Sequence, residues 1–259
     1  MIRLLTAGIL IPLFYLYVTR LPVLYFRILL LLLAAVGLME FFAMTSLHRI
    51  LRYAAVFAGA VLFWMVTGAP TSFTFHPVLV LSGLLFLLRL FVHRTPEGSV
   101  RDVGVVTAGL LYVSGLLSYQ VLLRSQGAEF IVLLYAVVWS CDGMALYAGR
   151  FLGRHKLYPS MSPNKTVEGA IGGLAGGILA AVVVNFLFDI GSYPLVVLMG
   201  ALAACLGQAG DLVESMLKRD AGVKDSSALF PGHGGVLDKI DAALFAGPVI
   251  YFGFRFLHP

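Results

Sequence analysis

The chain has 259 residues, of which 60% are hydrophobic and 12% charged, with a formal net charge of +5. Ordinary soluble domains carry roughly one charged residue in four, so this composition excludes one, and the longest polar interval, about 219 to 237, is too short to fold alone. The positive balance does not mark a nucleic-acid binder, because it is distributed as membrane-topology charge.

The apolar residues come in long runs without a 3.6-residue alternation, as expected of helices that meet lipid or other apolar helices on every side. A hydrocarbon core of about 30 Å takes about 20 helical residues to cross. In chain order the predicted spans are 4–19, 23–44, 53–69, 77–92, 102–123, 129–149, 168–189, 194–217 and 239–257. The expected fold is all-α, a polytopic integral membrane protein of about nine transmembrane helices. It reads as a single transmembrane domain over 1–259, with N-terminal helices to about 124 and a C-terminal half, about 125–259, that does not fold independently. The start Met1-Ile2-Arg3 followed by an apolar run reads as an uncleaved first helix. No small-x-small cleavage site lies near residues 20 to 30, and the spans continue at once.

With the N-terminus inside, one set of loops carries Arg49, Arg52, Arg94, Arg101, Arg150, Arg154, Lys156, Lys165, Lys218, Arg219, Lys224 and Lys239. The opposite set holds little beyond Arg20 and Arg124. The positive-inside rule therefore predicts an integral cytoplasmic (cell) membrane protein whose charged motifs face the cytoplasm. No internal repeat is evident, which counts against transporter folds built from inverted halves. Cys141 and Cys205 lie in apolar segments and read as small packing residues, without disulfide or zinc spacing. Gly169, Gly173 and Gly177, with Gly172 and Gly176 beside them, predict close helix packing.

The densest charge lies between Asp211 and Asp241. Asp211, Glu214, Ser215 and Lys218 share one helix face by their spacing, and Asp211 is an ionisable group inside an otherwise apolar span, a functional candidate by default. Glu214 reads as a ligand or a supporting group. Asp142 reads equally as lining for the site or as half of a structural ion pair. Glu40 reads as structural, or as reaching to the interface. Asp238 and Asp241 could cap the last helix, but two carboxylates on one face after a glycine loop suit a hard cation better. Gly232, Gly234 and Gly235 can bring backbone N–H groups to an anion, and with Lys218, Arg219 and Lys224 they read as a phosphate cradle. A second cluster, Ser162 to Gly169, opens with a predicted N-cap and N1 pair, Ser162-Pro163. It also places Lys165, Thr166 and Glu168 at the mouth of a span, where Lys165 could neutralise a phosphate.

Ser215-x-x-Lys218-Arg219-x4-Lys224-Asp225, followed by Pro231-x-His233-Gly234-Gly235-x-x-Asp238-x-Ile240-Asp241, resembles the signature of the phosphatidate cytidylyltransferase (CDP-diacylglycerol synthase) family. Ser162-Pro163-x-Lys165-Thr166-x-Glu168-Gly169 and Asp142-x-x-Ala145-x-Tyr147-x-Gly149-Arg150 resemble two further motifs of that family, in its order and spacing. One position departs: the family usually has Arg where this chain has Lys239, which keeps the charge but loses the bidentate fork.

The resemblance implies transfer of CMP from CTP to phosphatidate in phospholipid biosynthesis. It implies Asp211, Asp238 and Asp241 as catalytic metal ligands, with Lys218 and Arg219 also catalytic. Ser162, Lys165, Thr166, Glu168, Lys224, His233, Gly234, Gly235, Lys239 and Asp142 are expected around the substrates. Magnesium is the implied cation, with K+ as a candidate second cation and a homodimer as a candidate assembly. Two alternatives remain on these residues, a CTP-dependent polyprenol or phytol kinase and an ion-coupled transporter.

Overall fold

The computed structural model describes residues 2–68, 76–93, 95–227, 229 and 234–257. The described residues form α1 (Ile2–Arg20), α2 (Val23–Ala43), α3 (Arg49–Gly68), α4 (His76–His93) and α5 (Ser99–Gly109). A π-helical turn, Leu110–Gly115, joins α5 to α6 (Leu116–Gln126). The chain continues through α7 (Ala128–Leu152), β1 (Lys156–Tyr158), β2 (Ser162–Thr166), α8 (Val167–Phe188), α9 (Tyr193–Asp220) and α10 (Leu237–Leu257). Among the described residues six segments are long and apolar enough to cross a membrane: α2, α3, the α5–α6 rod Ser99–Gln126, α7, α8 and α9, with Pro77–His93 a shorter apolar helix. The chain is a multi-pass membrane protein.

Successive helices run antiparallel, so the turns alternate between two ends of the bundle. At one end Arg124 Nη2 donates to Leu21 O at 3.0 Å, tying the α6–α7 turn to the α1–α2 turn. At the other, Arg219 Nε donates to Met161 O at 3.3 Å, tying the end of α9 to the β1–β2 turn. The motif residues gather at this second end.

Lipid removes the hydrophobic drive for helices to associate, leaving close packing and polar contacts to hold them. The glycines of α8 supply the first. A methyl group on Gly172 would lie 2.3 Å from Ala148 Cβ, and one on Gly176 would lie 2.6 Å from Met144 Cγ, so α8 is pressed against α7. On its neighbouring face Gly177 meets Ala204 of α9, where an added methyl would sit 2.6 Å from Ala204 Cβ. Cys141 packs in this core, as expected. Cys205 does not: it lies exposed on the outer surface of α9.

Two arginines within apolar helices find partners. Arg27 donates to Thr67 Oγ1 at 2.9 Å and to Trp64 O, and lies 3.5 Å over the Trp64 ring. Arg89 pairs with Asp102 at 2.9 Å and donates to the carbonyls of Thr95 and Glu97, which fixes the α4–α5 turn.

The segment after α7 differs from the sequence expectation. Ser162 and Pro163 do not open a helix; they lie in β2, which pairs antiparallel with β1 (Lys156 with Thr166, Tyr158 with Ser162). The N-cap of α8 is Thr166, whose hydroxyl accepts from Gly169 N at 3.1 Å. In a two-stranded ribbon each strand is an edge, so a proline without an N–H is tolerated. The Thr-Val-Glu-Gly run then offers a cap closer to the apolar segment.

Candidate active site at the charged end of the bundle

The helix α9 approaches α10 closely because Gly210 carries no side chain. A methyl group there would fall 2.7 Å from Asp241 O and 2.8 Å from Phe245 Cδ2. This approach brings together carboxylates distant in sequence: ligand oxygens of Asp211, Glu214 and Asp241 lie within 4.8 Å of one another. Glu214 is 1% exposed, and its Oε1 is buried with no hydrogen-bond partner among the described residues. An ionised oxygen without a partner is costly in such surroundings, and the two carboxylates beside it raise that cost.

Two lysines meet the cluster. Lys165, presented by β2, pairs with Asp211 at 2.6 Å. Lys218, one turn below Glu214 on α9, bridges Glu214 and Asp238 at 2.5 Å each. Asp211, Glu214 and Asp238 thus pair with two ammonium groups, and Asp241 lies against Asp211 and Glu214. A small oxygen-seeking cation fits this donor set, and the unpartnered Glu214 oxygen is the group that most requires one.

Asp238 stands in a different environment from the other predicted ligands. Its Oδ2 accepts from Ser226 N at 3.1 Å, Ser226 Oγ at 2.8 Å and Gly235 N at 2.7 Å, while Oδ1 accepts from Lys218. Gly234 and Gly235 therefore wrap carboxylates of the chain itself. Gly234 has φ +77°, and a methyl on Gly235 would come 2.4 Å from Glu40 Oε1. His233, Gly232 and Pro231 lie outside the described residues, as does Arg94.

Glu40 is 5% exposed and accepts four hydrogen bonds, from Ser226 Oγ (3.1 Å), Ser227 Oγ (2.6 Å), Val236 N (3.0 Å) and Leu237 N (2.8 Å). It is structural, and it does not reach to the interface. Its charge occupies the N-terminus of α10, where unpaired N–H groups favour an anion. In this way α2 anchors the loop that carries Ser226 and fixes Asp238.

The remaining predicted residues divide by position. Asp142, Lys165, Thr166 and Asp211 line one cavity of about 430 Å³ together with Arg150, Asn164 and Gln208. Among the described residues Asp142 has no ion-pair partner, so its lining position is the one realised. Glu168 turns away from the cluster: it accepts from Arg154 N (3.0 Å) and His155 N (3.2 Å) and meets His155 Nδ1 at 2.6 Å, which fastens the turn leaving α7. Arg219 joins Met161 and Val223 carbonyls, whereas Lys224 and Lys239 are exposed at the rim.

Tyr112, which was not expected, packs between α2 and α10. It lies in the π turn, its ring centroid 6.0 Å from that of Phe41 and 6.2 Å from that of Phe245. Its hydroxyl is buried and unpartnered among the described residues, within electrostatic reach of Glu214, Asp241 and Asp211. π turns recur at functional sites, but the sequence offers no signal for one here.

A family model described as the Cytidylyltransferase family matches residues 1–257. The chain belongs to the Cytidylyltransferase family. It is 34% identical to a phosphatidate cytidylyltransferase of Bacillus subtilis (strain 168), over 96% of both chains. It is 40% identical to one of Staphylococcus haemolyticus over 59% of each chain, and 42% identical to one of Staphylococcus aureus (strain COL) over 49% of each. For a cytidylyltransferase the arrangement is chemically apt, since nucleotidyl transfer requires that negative charge be gathered and offset.

Proposed function

We propose that this chain transfers CMP from CTP to phosphatidate, giving CDP-diacylglycerol and pyrophosphate. The observation that carries the reading is the meeting of Asp211, Glu214 and Asp241 beside Lys165 and Lys218. A relative matching over 96% of both chains bears the corresponding name. A phosphate oxygen of the lipid attacks the α-phosphorus of CTP, and the bond from that phosphorus to the bridging oxygen of pyrophosphate breaks. Both reactants are anions, so the protein's contribution is neutralisation and alignment. No general base is required, because the attacking phosphate oxygen is already ionised near neutral pH.

Lys165 is partly open to the cavity, its side chain 28% exposed, and is placed to exchange Asp211 for a substrate phosphate. Lys218 is held by Glu214 and Asp238 and keeps a fixed positive charge behind the carboxylates. Asp238 acts by orienting Lys218 and the Ser226 loop; direct metal ligation would require it to release Lys218 or Gly235. Asp211, Glu214 and Asp241 would hold magnesium, which when bound supplies Lewis-acid stabilisation of the phosphate oxygens. Arg219, Lys224 and Lys239 at the rim attract the triphosphate through their field. The basic loops at this end support an orientation toward the cytoplasmic face of the cell membrane, where CTP is available while acyl chains remain in lipid.

The test is incubation of the purified protein with phosphatidate, magnesium and CTP labelled at the α- or the γ-phosphate, followed by lipid extraction. Label entering lipid from the α-position alone is expected. Label entering lipid from the γ-position would overturn the reading in favour of a kinase.

A further inference from the structure

The 430 Å³ cavity that holds Lys165 and Asp211 adjoins a second, apolar cavity of about 310 Å³ between α8 and α9. The two share Leu157, Ala170 and Gln208 as lining, and Gln208 Nε2 donates to Ala170 O at 3.2 Å across the seam where they meet. Beyond that bond the second cavity is walled by Val167, Ile171 and Leu174 on α8 and by Cys205, Ala209 and Leu212 on α9. The α8 residues stand at i, i+4 and i+7, so the stripe runs about 10 Å along the helix. Its outer wall is open to lipid: Ile171 is 63% exposed, and Cys205 is exposed.

We infer that the α8–α9 seam is an acyl-chain subsite, receiving one fatty-acid chain of phosphatidate while its phosphate lies in the chamber beside Lys165. The inference rests on phosphatidate being the acceptor substrate. Adjacency identifies the occupant. A lipid has a phosphate joined to chains by a short glycerol linker, and here a lysine-bearing chamber is joined to an apolar trough by shared walls. Two other apolar hollows among the described residues lack that junction. The cavity between α7 and α8 lined by Ser140, Met144, Tyr147, Leu179 and Val183, and the one beside α1 lined by Phe14, Tyr17 and Trp139, share no lining residue with the chamber.

The physics of lipid sets what the trough can do. Bulk acyl chains are as apolar as the trough, so burial there adds little affinity. Its contribution is orientation, since a chain lying in the seam restricts how the phosphate meets CTP, and alignment of reactants is worth far more than its contact area.

Two measurements test this. Phosphatidate carrying a photoreactive diazirine within one long chain is irradiated on the wild-type protein, and labelled peptides are mapped by mass spectrometry. Label on residues 167–174 and 205–212 is expected, whereas label confined to the α7–α8 seam or to α1 would overturn the inference. Separately, Ile171→Trp and Cys205→Trp should each lower kcat/KM for long-chain phosphatidate about 10-fold. They should leave the KM for CTP, and turnover of dibutanoyl phosphatidate, unchanged. Leu179→Trp, an equally exposed substitution on the other face of α8, should change neither. Equal losses with short and long chains, or no loss with either, would overturn the subsite while the wild-type activity still stands. If the wild type makes no CDP-diacylglycerol, the functional reading itself fails, and the labelling pattern still decides whether phosphatidate occupies the seam.

Discussion

Lys218 on α9 and Asp238 on α10 form an ion pair of 2.5 Å, with side chains only 12% and 10% exposed. The same ammonium reaches Glu214, so one cation holds carboxylates from two helices. Removing one partner of a buried pair leaves the other charge uncompensated, at a cost of about 3–5 kcal/mol. Lys218→Met should therefore lower thermal stability in detergent and abolish CTP turnover. Lys218→Arg should retain more stability than Lys218→Met, because the charge remains. Unfolding followed by intrinsic fluorescence, beside the turnover assay, checks both.

The cluster of Asp211, Glu214 and Asp241 predicts stabilisation by a divalent cation. A ligand that binds the folded state alone raises stability by RT ln(1 + [L]/Kd), about 2.7 kcal/mol at a hundredfold excess over Kd. Magnesium should raise the wild-type Tm. Asp211→Asn, Glu214→Gln and Asp241→Asn should each diminish that rise and lower turnover by roughly 100-fold. A full magnesium response in Glu214→Gln would remove it from the ligand set.

Glu40 predicts a loss of loop order. Glu40→Ala removes the acceptor for Ser227, Val236 and Leu237, and one of two acceptors for the Ser226 hydroxyl. Stranding buried donors costs about 1–3 kcal/mol each where water cannot replace the acceptor. Limited proteolysis between residues 221 and 236 should accelerate, and the KM for CTP should rise as Asp238 and Lys218 lose their setting. Glu40→Gln, which keeps an acceptor oxygen, should fall between the two.

Gly176 predicts a packing defect without a chemical one. A leucine there would drive into Met144 and the Ser140 carbonyl, since even a methyl would come within 2.8 Å of both. Overpacking of this kind typically costs about 1–3 kcal/mol. Gly176→Leu should lower the Tm, with the magnesium response of the remaining folded protein intact. That combination separates it from the carboxylate variants.

Lys239 is exposed on α10 and touches none of the clustered carboxylates. Lys239→Arg should leave activity equal or raised, measured as kcat/KM for CTP. A large loss would mean that lysine at this position has a role the rim location does not provide.

Hydropathy was sufficient to locate the helical segments within a few residues, because a membrane helix must satisfy its backbone internally over a length set by the bilayer. The loop charges and the order of the motifs identified the charged end, and the glycine pattern of α8 announced its contact with α7. The hairpin was not legible. Ser162-Pro163 has the composition of a helix start, and only pairing with Lys156–Tyr158 makes it a strand. Nor could spacing sort the carboxylates. Asp238 and Asp241 sit one turn apart on α10, yet Asp238 is taken by Lys218, Ser226 and Gly235, while Asp241 meets Asp211 and Glu214. Glu40 came to hold the Ser226 loop from a helix far away in sequence. What local residue chemistry determined was which segments are apolar helices, which end carries charge and which residue types gather there. Which oxygen faces which ammonium was decided by the approach of α9 to α10 at Gly210 and by the hairpin that presents Lys165, because both depend on contacts between segments that no local pattern encodes.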